Sequence, residues 1–319
     1  MEVYIKSFNR TYYLDRCLRS IKAFVSGVTR IVILDDGTPL RYLDKIRKLH
    51  PDIKIVQSPH GAKKNDLVAD GTYRETMTEA ELDALGLISP ARFWCSEIAR
   101  SHAQYICVLE EDVWFTSMLS LDLVEQNLLQ NRALMFRFFW NLIPRLAAKN
   151  DVVRRDQLSD GSIIEYYKPS IIHPSDWGKI FSVAMAIFKR DYWLNAYSSP
   201  NYAFSVKSQI EQSMAYINRL TSPMTFTQSV AQLVTHGYSS TSRKTGFTGS
   251  VFDPYRFNLT LNEHWLSGKL DASENMPDDF SEEYLIDVLT VRLSKVEALR
   301  WLDWKKKFLA YYRNMGALI

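Results

Sequence analysis

The sequence predicts an α/β fold with a mostly parallel sheet flanked by helices, and three observations carry that prediction. Strand-like and helix-like periodicities alternate as β-α-β-α-β through the first sixty residues. The runs at 30–34 (Arg-Ile-Val-Ile-Leu) and 105–109 (Tyr-Ile-Cys-Val-Leu) are near-continuous apolar stretches, as in strands covered on both faces. Three of the strand-like runs end in polar clusters, and in an open α/β sheet that end binds ligands.

In chain order, 3–8 reads as a strand. Thr11 can cap a helix whose stripe is Leu14, Cys17, Leu18, Ile21, Phe24 and Val25. The 30–34 strand breaks at Asp35-Asp36-Gly37-Thr38-Pro39, a short helix runs to about 49, and 53–57 is the third strand. Residues 58–75 are polar and read as a loop. Helical stretches follow at 78–86 and 90–103, then the 105–109 strand, a helix at 118–131 and a strand at 133–140. A hairpin is expected around Asp160-Gly161, a strand at 181–188 and a helix at 205–219. Ser281, with Glu282 and Glu283 in the first turn, starts a helix that continues to about Arg313. Residues 1–265 are expected to form a catalytic domain and 270–319 a helical appendage.

The chain has 319 residues and a net charge of +3, which gives no argument for nucleic acid as a partner. The N-terminus enters a strand pattern directly and does not read as a signal peptide. No apolar run reaches the roughly 20 residues of a membrane helix. Cys17, Cys95 and Cys107 have no metal-site spacing and read as reduced core thiols, so a cytoplasmic protein is expected.

The strand-end clusters are Ser7-Phe8-Asn9-Arg10, Asp35-Asp36-Gly37-Thr38 and Glu110-Glu111-Asp112. Asp35 and Asp36 suit a turn, and the same carboxylates can accept hydrogen bonds from a base N–H or from ribose hydroxyls. Arg10 can meet phosphate or pack on the adjacent helix. Lys63, Lys64, Arg74 and Arg92 can reach a diphosphate, although such side chains are usually solvated.

Ser7-Phe8-Asn9-Arg10 with Leu14, Cys17, Leu18, Ser20 and Ile21 resembles the opening of the family-2 glycosyltransferases, which have the GT-A fold. Residues 33–38 resemble that family's second-strand acidic motif, and 105–112 its strand ending in Asp-x-Asp, with Glu110 in the first place. The resemblance covers about 2–58 and 96–115. It implies transfer of a sugar from a nucleotide diphosphate sugar, UDP-sugar favoured, to a glycan or lipid-linked saccharide hydroxyl, with inversion. Ser7, Asn9, Arg10, Asp35, Asp36, Glu110 and Glu111 would bind the nucleotide. Asp112, then Glu110, would hold Mn²⁺ or Mg²⁺ on the diphosphate, which suits hard oxygen ligands. In several GT-A enzymes a late His completes the metal shell beside a basic loop. His236 with Arg243 and Lys244 resembles that arrangement. An inverting transfer needs a base. The family's acidic pair corresponds to Glu211-Gln212, so Glu211 leads and Asp176 is the rival, with Trp177 as acceptor platform among the aromatics Trp140, Trp177, Tyr192 and Trp193.

The sequence departs from the family at Trp94-Cys95, where Arg-Asn is usual, and at Gln212. Two other readings stand beside the transferase. A sugar-nucleotide nucleotidyltransferase would need a glycine-rich loop, and residues 7–13 contain no glycine. A non-catalytic relative would bind nucleotide or glycan without turnover. The basic, aromatic C-terminal stretch suits packing on the catalytic domain, a second subunit, or the inner face of an anionic membrane.

Overall fold

The computed structural model describes residues 1–73, 77–139, 152–168, 180–181, 185–197, 206–221, 225–238 and 253–314. Its frame is a nine-stranded sheet. In order across the sheet these strands are β4 (Lys54–Gln57), β3 (Arg30–Asp35), β1 (Glu2–Ser7), β5 (Tyr105–Glu110), β11 (Ala186–Lys189), β8 (Ala133–Phe139), β12 (Thr225–Gln232), β10 (Ile163–Tyr167) and β9 (Val152–Gln157). The first four run parallel, β11 is antiparallel to both β5 and β8, and β9 and β10 form the expected hairpin, with Gly161 N–H on Leu158 O. The sheet is therefore parallel over the half that carries the strand-end clusters and mixed beyond it.

Alternate residues of each central strand enter different cores. Val3, Ile5, Ile31, Ile33, Cys107 and Leu109 face one layer, while Tyr4, Val32, Leu34, Ile106 and Val108 face the other. The period of two explains why these strands are apolar on both sides. The first layer holds α1 (Thr11–Phe24), α2 (Leu40–Leu49), α6 (Leu121–Gln130), α9 (Pro254–Leu266), α10 (Glu282–Thr290) and α11 (Lys295–Asn314). The second holds α5 (Pro90–Ile98), α7 (Arg190–Ala196) and part of α8 (Val206–Asn218). On α1, Leu14, Cys17, Leu18 and Ile21 are buried at the predicted helical spacing, and burial of each such large side chain contributes about 1.5–3 kcal/mol.

Three expectations need correcting. Residues 58–75 are not all loop, because α3 (Gly61–Asp70) occupies most of them. A short α4 (Glu79–Ala84) follows, with Thr78 and Glu81 forming a capping box. Thr11 is the first residue of α1 rather than its cap, and its N–H and hydroxyl both donate to Asn262 Oδ1 at 2.9 and 2.7 Å. The C-terminal helix is two helices, since Ser294 and Glu297 start α11 with reciprocal bonds after a break at 291–294.

The C-terminal helices share the core of the sheet. Arg16, fully buried, donates to Ala272 O and Glu274 O at 2.9 and 2.8 Å and to Asp278 O, between the rings of Trp114 and Phe280. Tyr12 OH meets Asn258 Oδ1 at 2.7 Å, and the Trp301 indole N–H meets Tyr238 O at 3.0 Å. Among the described residues, no helix is long and apolar enough to cross a membrane.

Candidate functional site

The carboxyl ends of β1, β3 and β5 are knitted together by main-chain bonds. Asp36 N–H donates to Ser7 O at 2.9 Å, and Glu111 N–H donates to Lys6 O at 3.0 Å. Three sequence clusters thereby become one patch, as expected where adjacent parallel strands end. Asn9 takes a left-handed φ of 57°, which Asn tolerates better than most residues, and this turns Arg10 back toward β5.

Arg10 is buried and donates from Nε to Glu111 Oε1 at 2.9 Å and from Nη1 to Asp112 Oδ2 at 2.5 Å. Burial works against its charge, but Asp112 and Glu111 more than offset this, so it stays a guanidinium. Glu111 also accepts the Phe8 N–H at 3.1 Å and so fixes the turn. Asp112 keeps one oxygen, Oδ1, buried without a hydrogen bond. Burial pushes its carboxyl up to about 6, with Arg10 opposing. Glu110 is only about two-thirds covered (32% exposed) and pairs with the buried Lys6 ammonium at 3.0 Å. Burial raises its pKa, but Lys6 and then Arg10 outweigh that and hold it below the usual range.

Asp35 does build the turn. Its Oδ1 accepts from Gly37 N–H at 3.2 Å and Thr38 N–H at 2.9 Å, while Oδ2 is buried without a partner. Burial raises this carboxyl to about 7. Gly37 has φ 138°, and a Cβ there would stand 2.4 Å from Gly61 O, so the turn closes directly on the start of α3. Two residues of α3 reach the patch. Lys64 is ion-paired with Asp36, and Asn65 Oδ1 accepts from Asn9 Nδ2 at 2.5 Å.

His236 ends β13 (Val234–His236), opposite Val113 on β6 (Val113–Phe115), and Gly237 N–H donates to Asp112 O at 2.7 Å. The imidazole stacks on Phe308 of α11 with centroids 6.2 Å apart. Burial and then the Arg10 charge lower its pKa to about 4, so at neutral pH it is in the neutral form that ligates metals. Among the described residues, no three His, Cys, Asp or Glu side chains converge as a metal site.

Glu211 lies on the outer face of α8, its side chain 54% exposed, with Lys207 at 3.9 Å one turn away. Its ion pair lies within its own helix and not with the strand-end clusters. Asp176, Trp177, Arg243, Lys244, Trp140 and Arg74 lie outside the described residues. Tyr192 and Trp193 are buried in the second core. Lys6 and Asn262 carry no motif in the sequence, and Lys64 is there only one of four cations able to reach a diphosphate. Gly61, Lys64 and Val68, the buried residues of α3, have helical spacing, but two of the three give no apolar signal.

No family model matches this chain, and no curated protein matches it. Among solved structures it is similar to S. aureus TarS 1-349, at 10% identity and a TM-score of 0.45 over 99% of this chain and 91% of that one. A TarS 1-349 structure in complex with UDP-GlcNAc is similar at 9% identity and a TM-score of 0.44, over 98% of this chain and 87% of that one. Glucosyl-3-phosphoglycerate synthase from Mycobacterium tuberculosis, in complex with Mn²⁺ and UDP-glucose, is similar at 13% identity and a TM-score of 0.39, over 69% of this chain and 64% of that one.

Proposed function

We propose that the chain is a glycosyltransferase that moves a sugar from a nucleoside diphosphate sugar, UDP-sugar favoured, to a hydroxyl of a glycan or lipid-linked saccharide. One observation carries this reading. Ser7 Oγ, Asn9 Oδ1, Asp35 Oδ2 and Asp112 Oδ1 are all buried without hydrogen-bond partners, at the ends of three adjacent parallel strands. Each such atom costs about 1–3 kcal/mol, and four together suit a ligand rich in donors. A nucleotide supplies base N–H and ribose hydroxyl donors for Asn9, Asp35 and Asp36. Its diphosphate supplies the anion for Arg10, with Glu110 and Glu111 holding the two cations, Lys6 and Arg10, in place.

A Mg²⁺ or Mn²⁺ ion carried on a diphosphate needs only one or two protein carboxylates, and the open oxygen of Asp112 fits that demand. Glu110 and His236 are the further ligand candidates. The ion would neutralise charge on the leaving diphosphate. In the transfer, the acceptor hydroxyl gives its proton to a carboxylate, Glu211 or Asp176. The acceptor oxygen bonds to the anomeric carbon, and the bond from that carbon to phosphate breaks with its electron pair going to the diphosphate. Attack opposite the leaving group inverts the anomer. A cytoplasmic location is part of this reading, with the exposed cations Arg300 and Lys306 of α11 turned to an anionic membrane surface.

The test is release of UDP from a panel of UDP-sugars, with Mn²⁺ and with chelator, followed by NMR assignment of the product anomer. Metal-dependent release and an inverted anomer are expected, and retention would overturn the stereochemistry. UDP binding with no turnover of any donor would favour the binding-only relative.

A further inference from the structure

His236 and the two residues after it are gripped by the C-terminal part of the chain. Asp279, in the connection between α9 and α10, accepts the Tyr238 N–H on Oδ2 at 3.3 Å and the Phe280 N–H on Oδ1 at 2.8 Å. The Tyr13 hydroxyl of α1 donates to the same carboxylate at 3.2 and 3.3 Å. The Tyr238 carbonyl accepts from the Trp301 indole of α11 at 3.0 Å. Gly237 gives its N–H to Asp112 O at 2.7 Å and lies so close to Tyr13 that a Cβ would stand 2.3 Å from the ring. Residues 236–238 are thus tied to Asp112 on one side and to α1, Asp279 and α11 on the other. The His236 imidazole itself lies 14° from the plane of the Phe308 ring, with Tyr238 edge-on at 5.9 Å and Trp304 behind Phe308 at 5.1 Å. After burial, the charges of Arg10 and then Glu110 act most on this imidazole, so it stands within electrostatic reach of the strand-end acids.

We propose that Asp279 and Phe308 are positioning residues for a divalent ion on the diphosphate: Asp279 fixes the main chain that carries His236, Phe308 fixes the plane of its ring, and the imidazole and the Asp112 carboxylate then meet one ion. A ligand oriented in advance need not rearrange to bind, and removing a supporting group of this kind costs about 10- to 100-fold in metal affinity. Both residues come from the C-terminal region, which thereby takes part in the site as well as in the core. The inference rests on the reading of Asp112 and His236 as metal ligands.

The test is titration of Mn²⁺ into the UDP complex of the full chain, followed by the paramagnetic resonance signal of free Mn²⁺, with melting curves to verify folding. The variants are Asp279→Asn, Phe308→Leu and Phe308→Tyr, with the first two also combined with His236→Ala. Asp279→Asn keeps an acceptor oxygen for only one of the two main-chain N–H groups. It and Phe308→Leu are each expected to weaken Mn²⁺ binding by about 10-fold or more, with UDP binding in chelator unchanged. Phe308→Tyr keeps a ring to stack and restores most of the affinity. In the His236→Ala background neither substitution has a further effect, because both act through the imidazole. A merely structural role would lower the melting temperature and leave Mn²⁺ affinity alone. Unchanged Mn²⁺ affinity in either folded variant overturns the inference, and Phe308→Leu decides by itself should Asp279→Asn not fold. The full loss persisting in the His236→Ala background overturns it too, as does a His236→Ala protein that binds Mn²⁺ as tightly as the unaltered chain. A UDP complex of the unaltered chain that takes up no Mn²⁺ overturns the metal reading itself, and is distinguishable from all of these.

Discussion

Asp15 and Asp112 are both almost fully buried, at 1% and 3% exposure, yet their surroundings treat them in opposite ways. Asp15, on α1, accepts from Arg19 Nε, His50 Nε2 and Trp265 Nε1, each at 2.9 Å. Burial pushes its carboxyl up, but the donors outweigh this and its pKa falls below the ordinary value. Asp112 has one donor, Arg10, on one oxygen and none on the other, and burial leaves it raised to about 6. The acid with a full set of donors ties helices together; the one with an oxygen left over is the one proposed to take a ligand.

The largest effect expected from this comparison is on stability. Asp15→Ala strands the donors of His50, Arg19 and Trp265 and should cost about 3–5 kcal/mol in denaturant unfolding. Asp112→Ala leaves Arg10 paired with Glu111 and should cost less, about 1–2 kcal/mol for one lost charge-assisted bond. Equal losses would break the contrast.

Asp35 sharpens it. Its carboxyl binds a proton more tightly folded, at about 7, than at its ordinary 3.8. The stability it contributes is therefore fully present below its unfolded pKa and lost as pH rises through 7. Asp35→Asn keeps the acceptor for Gly37 and Thr38 and removes the charge. It should melt higher than the unaltered chain at pH 8, by about 1–2 kcal/mol, with the gain absent below pH 4. A gain independent of pH would contradict the assignment. The smallest expected effect is that of Glu211→Gln, within about 0.5 kcal/mol on stability for an exposed residue. Loss of turnover without loss of donor binding would mark Glu211 as the base, and unchanged turnover would remove it.

The legible part of the fold is the part with a clear apolar period. The strands at 30–34 and 105–109 were readable because every buried position in them is apolar, and α1 because Leu14, Cys17, Leu18 and Ile21 keep helical spacing even though Asp15, Arg16 and Ser20 are buried beside them. Helix α3 was not readable, because its three buried positions are Gly61, Lys64 and Val68, two of which give no apolar signal. For the same reason, the Lys64 half of the Asp36 pair was invisible in the sequence. The C-terminal break was legible only as local chemistry, a Ser-x-x-Glu box at 294–297 inside an otherwise helical run. The convergence of the Asn9, Asp35 and Asp112 strand ends followed from topology. The lack of partners for their oxygens required coordinates.

The measurement that bears most directly on the strand-end acids is calorimetric titration of UDP into the chain with and without Mn²⁺, repeated on Asp112→Ala. UDP binding that strengthens with Mn²⁺, and a variant that folds yet loses this gain, is the predicted result. Mn²⁺-independent binding, unchanged by Asp112→Ala, would contradict a role for the open Asp112 oxygen in holding a diphosphate-bound metal.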